Sequence, residues 1–450
     1  MPKPASSHVF HRTPHHPMPT VVAGDGAYVI DSTGKRYLDA SGGAGVSCLG
    51  HTHAKVIKAI QDQVARISHV HTSFFTNEPM ERLADLIVEE APGDIDHVFF
   101  VSGGSEAVES ALKLARQYFI EKGEPERHRI VTRRQSYHGN TLGALSAGGN
   151  LARRPAYAPL LVPDVIHLSP CYAYRDKAPS ESEPDYARRL AGEFDAAVRK
   201  AGPGTVMCFI AETVVGASLG AVPPVEGYFQ AMREVCDRHG ILMIADEVMC
   251  GMGRTGYPHA IIEDGVAPDM ITVAKGLGGG YQPIGALLVS RRIYDAIAEG
   301  SGAFMHSHTY NGHIAACAGA LAVQEVIRQE GLLETVRARG RDLERLLVER
   351  FGNHPHVGNI RGRGLFQAIE IVAERSSKRP FAAASSLAAR LKRTARDHGL
   401  ICYPTGGVVD GKDGDNVILA PPFNSTTDIL EEAVTKLGTA LDATIADLRA

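Results

Sequence analysis

The sequence predicts an α/β protein, with a large domain on a mainly parallel sheet and a small α+β domain at the carboxyl end. Three observations predict it. Between about residues 80 and 275 short apolar runs alternate with helical stretches, which implies right-handed crossovers and parallel strands covered on both faces. Over 312–350 alanine and leucine recur at helical spacing, which predicts long helices. Beyond them the order strand, helix, strand, helix predicts a separate α+β unit.

In chain order, 28–31 and 37–39 flank the turn residues 32–35 and predict a hairpin, followed by a helical pattern over 54–67. Strands are predicted over 97–101, 129–132, 206–211, 241–245 and 269–274, each apolar and bounded by turn residues, with helices over 106–120 and 229–239. Helices over 315–327 and 332–347 lead to a strand over 364–371, a helix over 382–398, a strand over 417–420 and a last helix. The polar stretch 178–185 reads as an exposed loop, and no internal repeat is visible. The expected division is an amino-terminal segment (1–60) that contributes to the small domain, a large domain (61–325) and a small domain (326–450).

Composition excludes several classes. With 450 residues, 44% apolar, 22% charged and a net charge of −4, the chain has neither the basic field that gathers nucleic acid nor a block of like charges. The amino terminus is rich in His and Pro without an apolar core for a signal, and no run of eighteen apolar residues exists, so no membrane partner and a cytoplasmic location are expected. Seven scattered cysteines without a C-x-x-C pair predict reduced, mostly buried thiols. His306, His308 and His313 are closely spaced, but their spacing fits no common zinc pattern and no cysteine or carboxylate lies among them, so no metal is expected.

Three segments carry chemistry. The strand over 269–274 delivers Lys275 into the glycine-rich run 276–280, at the strand end where α/β sheets place functional groups. A desolvated lysine amine is nucleophilic and condenses with carbonyl compounds. The strand over 97–101 breaks at Ser102, Gly103, Gly104 and Ser105 before a helix starts, so free N–H groups, the helix dipole and the Ser105 hydroxyl make an anion site, with Glu106 expected to point away. The strand over 241–245 ends in Asp246 and Glu247, where a carboxylate could pair with a protonated ring nitrogen. A Walker-type Mg²⁺ site is the competing reading of those acids, but the chain has no G-x-x-x-x-G-K-[ST] loop. Gly251, Gly253 and Gly256 match G-x-G-x-x-G, yet no long helix follows and the motif is not at the first βα turn, which argues against a dinucleotide site.

Lysine, anion turn and strand-end acid together ask for a phosphorylated pyridine aldehyde, pyridoxal 5'-phosphate. With these motifs in place the sequence resembles the class III pyridoxal-phosphate aminotransferases, the group of ω-amino acid and amine transaminases, from Tyr37 to Pro422. The resemblance implies fold type I with a seven-stranded sheet in the large domain. It makes Lys275 the lysine that binds the cofactor and carries protons, Asp246 the partner of the ring nitrogen, and Val248 and Tyr137 the residues on its two faces, Tyr137 lying in the run with His138 and Gly139. Gly104 and Ser105 are then the phosphate site, and Thr309 the threonine given to the neighbouring subunit's cofactor, which implies a homodimer or a tetramer. Glu212 matches the family's A-E-P-x-x-G segment, with Thr213 in place of proline. The resemblance implies that Glu212 pairs with Arg361 and releases it to a substrate carboxylate, with Arg363 as competitor. Phe74, Phe75, Ala217 and Tyr310 are candidate pocket residues, and the glycine-rich loop 405–415 is expected near the mouth.

The implied activity is ping-pong transfer of an amino group from an amine or ω-amino acid to an oxo acid such as pyruvate or 2-oxoglutarate. A racemase, epimerase or decarboxylase on the same fold is the alternative. A non-enzymatic binding protein would not need the activated lysine.

Overall fold

The computed structural model describes residues 7–13 and 18–449, the last of these without its side chain. The His- and Pro-rich reading of the amino terminus therefore falls partly outside the described residues.

The centre is a seven-stranded sheet in the order Ile95–Val101, Gly285–Ser290, Met270–Val273, Leu242–Asp246, Val206–Glu212, Arg129–Arg133, Val165–Leu168. Six strands are parallel, and Gly285–Ser290 runs antiparallel to both its neighbours. The interior strand Val206–Glu212 is buried at every position, as a strand covered on both faces must be. One apolar cluster fills the face under Glu183–Ala201 and Tyr228–His239, and another the face under Gly104–Glu121 and Arg291–Glu299.

Five strands of this sheet match their sequence expectation to within two residues at each end, while Val165–Leu168 and Gly285–Ser290 carry no sequence expectation. The stretch expected to be an exposed loop is corrected at its end. Ser182 accepts a hydrogen bond from the Asp185 N–H and Pro184 sits in the first turn, so residues from Glu183 onward open the helix Glu183–Ala201.

The amino-terminal strands Val21–Asp25, Tyr28–Asp31 and Arg36–Asp39 form a sheet that Leu400–Ile401 joins in parallel. A second four-stranded sheet, Val357–Arg363, Phe366–Ile371, Asp415–Leu419 and Tyr403–Gly406, is wholly antiparallel. Leu38, Leu49 and Val56 share one core with Leu343, Leu391, Phe423 and Leu437, so the two ends of the chain pack as one body. All seven cysteines are free and buried. No helix among the described residues is long and apolar enough to cross a membrane.

Candidate active site

The carboxyl ends of the six parallel strands lie along one edge of the sheet. Register fixes what stands there: Asp246 is level with Glu212 on one side and with Thr272 on the other, and Lys275 follows two residues after Met270–Val273 ends. These side chains open on a cavity of about 850 Å³. Gly104, Ser105, Tyr137, His138, Gly139, Glu212, Asp246, Val248 and Lys275 all line it. So do Ala217 and, from the far side, Thr405, Gly406, Gly407 and Gly411.

Lys275 is partly exposed to this cavity, and desolvation by the surrounding protein lowers its pKa against the opposing pull of Asp246 and Glu212. That favours the neutral, nucleophilic amine. Asp246 is buried and fully oriented: Oδ2 lies 2.6 Å from His138 Nδ1, while Oδ1 accepts from the Val248 N–H at 3.0 Å and the Thr272 hydroxyl at 3.2 Å. His138 Nε2 in turn lies 3.3 Å from the Thr132 hydroxyl.

The anion turn is built from glycine for want of space. A Cβ on Gly104 would stand 2.6 Å from Val248 Cγ1, and one on Gly139, whose φ is +133°, would stand 2.6 Å from Ser105 Oγ. Gly103 caps the helix Gly104–Glu121 without a side-chain bond. Glu106 turns back to accept the Ser102 N–H at 2.7 Å and does not line the cavity. A lysine amine with its pKa lowered by desolvation, a cradle of helix-start N–H groups and an oriented buried carboxylate on one cavity form the donor set that a phosphorylated pyridine aldehyde requires.

Glu212 is held otherwise than the resemblance implied. Its carboxylate accepts the Tyr137 N–H at 3.0 Å and the Gly216 N–H at 2.8 Å, and burial raises its pKa. The expected pairing with Arg361 is not formed. Arg361 Nη1 binds Glu370 at 2.6 Å on the adjacent strand, and Nε and Nη2 donate to the carbonyls of Gly220 at 2.7 Å and Leu219 at 2.5 Å. Arg361 does not line the cavity, because a fully buried carboxylate one strand away outcompetes a glutamate already satisfied by two N–H groups. Arg363 is engaged too, by Asp264 at 2.8 Å.

Phe74, Phe75 and Tyr310 are 78%, 65% and 58% exposed and lie outside the cavity of their own chain. Thr309 is likewise exposed and outside it. His306 meets the Ser110 hydroxyl at 3.0 Å and His313 stacks on His69. The G-x-G-x-x-G glycines answer to packing: a Cβ on Gly251 would meet Glu247, and one on Gly256 would meet Arg337. Thr213 uses the hydroxyl that proline would lack to donate to Glu247 at 3.0 Å.

Sequence reasoning missed Arg153. It follows the strand Arg129–Arg133 by twenty residues, in a loop without periodicity, yet it lines the cavity with its guanidinium 4.9 Å from the centre of the Tyr137 ring.

Comparison with known proteins agrees with this geometry. Residues 9–441 match the family model described as Aminotransferase class-III. An uncharacterized aminotransferase of Schizosaccharomyces pombe is 43% identical over 442 residues, covering 98% of this chain and 96% of that protein. An uncharacterized aminotransferase of Bacillus subtilis is 38% identical, covering 92% and 93%. Among solved structures, an (S)-enantioselective ω-transaminase from Thermomicrobium roseum superposes with a TM-score of 0.91 at 35% identity, covering 98% of this chain and 96% of that one. A PMP-bound aminotransferase from Vibrio fluvialis superposes with a TM-score of 0.88 at 34% identity, covering 96% and 94%.

Proposed function

The chain belongs to the class-III aminotransferases, on the fold type I of pyridoxal-phosphate enzymes, and from that premise we propose that it moves an amino group from an amine or ω-amino acid to an oxo acid such as pyruvate or 2-oxoglutarate, in ping-pong order. Pyridoxal 5'-phosphate is its cofactor and, when bound, supplies an aldehyde that condenses with amines and a ring that draws electrons from the bond being broken.

The protein's part is to hold, orient and move protons. Lys275 would hold the cofactor through its amine, and Nζ, when free, would carry a proton between the substrate carbon and the cofactor. Asp246 would keep the ring nitrogen protonated, and its bonds to His138, Thr272 and the Val248 N–H fix its direction. Tyr137 and Val248 would pack on the two ring faces, and Gly104, Ser105 and Gly139 would form the phosphate cradle. Glu212 locks the Tyr137 backbone in place. Thr309, exposed and outside its own cavity, would complete the phosphate site of a second copy in a homodimer or tetramer. The shared core of residues 27–56 with 322–445 supports the division into an amino-terminal segment (1–60), a large domain (61–325) and a small domain (326–450).

One observation carries the reading: Lys275, Asp246 and the Gly104–Ser105 turn open on a single cavity. The purified holoenzyme should show a visible absorption band that an amine donor alone bleaches and an oxo acid restores. Lys275→Ala should lose the response and about 10²–10⁴-fold in turnover. Inversion of an amino acid's α-carbon, or release of carbon dioxide, with no oxo acid consumed would replace transamination by the racemase or decarboxylase alternative.

A further inference from the structure

The charge around the cavity is uneven. Its depth holds the acids, Glu212 and Asp246, and both are committed to hydrogen bonds inside the protein. Besides Lys275, the cations that line it are Arg12, Arg153 and Lys392, and none of these three forms an ion pair among the described residues. Arg12 and Lys392 are exposed. Arg153 is the half-buried member, and its position is defined: the guanidinium lies over the Tyr137 ring, 4.9 Å from its centre, with Nη1 3.1 Å from Asn140 Oδ1 and 3.5 Å from the Tyr137 hydroxyl. Nη1 is spent on Asn140, but the Nε–Nη2 edge makes no hydrogen bond among the described residues, and such an edge matches a carboxylate through two parallel hydrogen bonds. The arginines of the small domain cannot take this part, since Arg361 is spent on Glu370 and Arg363 on Asp264.

We propose that Arg153 is the specificity-determining residue that receives the acid group of the substrate, so that the amine donor is a carboxylate-bearing ω-amino acid and not an uncharged amine. The inference rests on the transaminase reading and narrows it to one donor class. In the acceptor half-reaction the oxo acid's carboxylate meets these cations; in the donor half-reaction an uncharged amine would leave them unanswered, whereas an acid group distal to the amine places its charge among them while the amine reaches Lys275. One other anion is within the same chemistry. The Asn140 N–H donates to the Ser105 hydroxyl at 3.0 Å, so Arg153 stands one residue removed from the anion turn, and the cofactor's own phosphate is the second source of negative charge.

The test separates these sources. Holoenzyme and the variants Arg153→Gln and Arg153→Lys are compared with 4-aminobutyrate and with butylamine, its counterpart without the acid, and the cofactor retained after gel filtration is measured alongside. The expected result is a loss of about 10- to 100-fold in kcat/KM for 4-aminobutyrate with Arg153→Gln, carried by KM, with partial recovery in Arg153→Lys and butylamine and retention unchanged. Equal losses for both donors together with weaker retention would assign the guanidinium to the cofactor phosphate and overturn the proposal. Unchanged 4-aminobutyrate kinetics would overturn it too. Calorimetric binding of glutarate to the holoenzyme reads Arg153 without turnover. Should wild-type protein transfer nitrogen from neither donor, the transaminase reading fails, while the glutarate affinity of wild type against Arg153→Gln still decides whether Arg153 holds a carboxylate.

Discussion

Single residues show how little freedom the site leaves. Gly104 begins the helix whose first N–H groups form the anion turn, and the absent Cβ is what lets Val248 close over it, since Val248 Cγ1 and Cγ2 would stand 2.6 and 3.0 Å from a Cβ there. Neither partner is far from its own fixed backbone, because Val248 follows the strand Leu242–Asp246 by two residues and its N–H is bound to Asp246. Gly104→Ala is therefore expected to cost about 1–3 kcal/mol of stability, and to push Val248 toward the cavity so that cofactor affinity falls. Adding Val248→Ala to that variant should restore most of both, measured by denaturant unfolding and by cofactor titration. Additive losses in the double variant would show that the glycine serves backbone conformation and not this contact. Lys275, Asp246, Gly104 and Ser105 were legible in the sequence because each follows an apolar strand, where α/β sheets place ligands. Arg153 was not, because a loop residue carries no local signal and its meaning comes from the Tyr137 ring beneath it.

Elements add what residues cannot. The strand Val357–Arg363 has only Val357 and Ile360 as apolar side chains, three apart and not alternating, with glycine at 358 and 362, so nothing in its pattern announces a strand. Its register against Phe366–Ile371 is what brings Arg361 and Glu370 together. For the same reason the partner of Arg361 was misread: the resemblance offered Glu212, and only the pairing of two strands reveals a fully buried carboxylate nearer at hand. That carboxylate also binds Tyr172 and, through Nε at 2.6 Å, Arg175. The strand thereby clasps the segment after Val206–Glu212, since Arg361 donates to the carbonyls of Leu219 and Gly220, just beyond the cavity residues Ala217 and Ser218. Arg361 is thus a positioning residue for the cavity wall. Arg361→Leu should destabilise the protein by about 2–4 kcal/mol, because Glu370 keeps Arg175 but loses one of two cations while two carbonyls lose their donor. It should also lower kcat/KM alike for 4-aminobutyrate and for butylamine. A loss confined to the acid-bearing donor would return Arg361 to the role of carboxylate receptor and move its side chain into the cavity.

At the scale of the whole molecule, the site depends on how three parts of the chain are joined, and one residue joins them. Arg254, in the turn after the Asp246 strand, is buried, with Nη1 donating to the carbonyls of Leu365 at 3.2 Å and Pro421 at 2.6 Å and Nη2 to that of Ser47 at 3.2 Å. Its guanidinium lies over Phe423, and burial lowers its pKa to about 10. No carboxylate is ion-paired with it among the described residues, so the charge is balanced by carbonyl dipoles drawn from the amino-terminal segment and the carboxyl-terminal body at once. Two opposing effects decide what its removal does. An apolar side chain would escape the cost of desolvating a guanidinium, but it would leave three carbonyls without this donor inside the protein, at about 1–3 kcal/mol each. The carbonyls prevail by number. Arg254→Leu is expected to lose about 2–4 kcal/mol in total and to lower the thermal midpoint, with Arg254→Lys recovering little, because one ammonium cannot span the fork of three acceptors. Since Ser47 adjoins the cavity residues Ser41 to Val46, and Ala420, next to Pro421, lies against Ala40 and Gly42, the same variant should weaken cofactor retention even where the protein stays folded. An unchanged midpoint and unchanged retention would mean that the shared apolar core of residues 27–56 with 322–445 holds the parts together without the arginine.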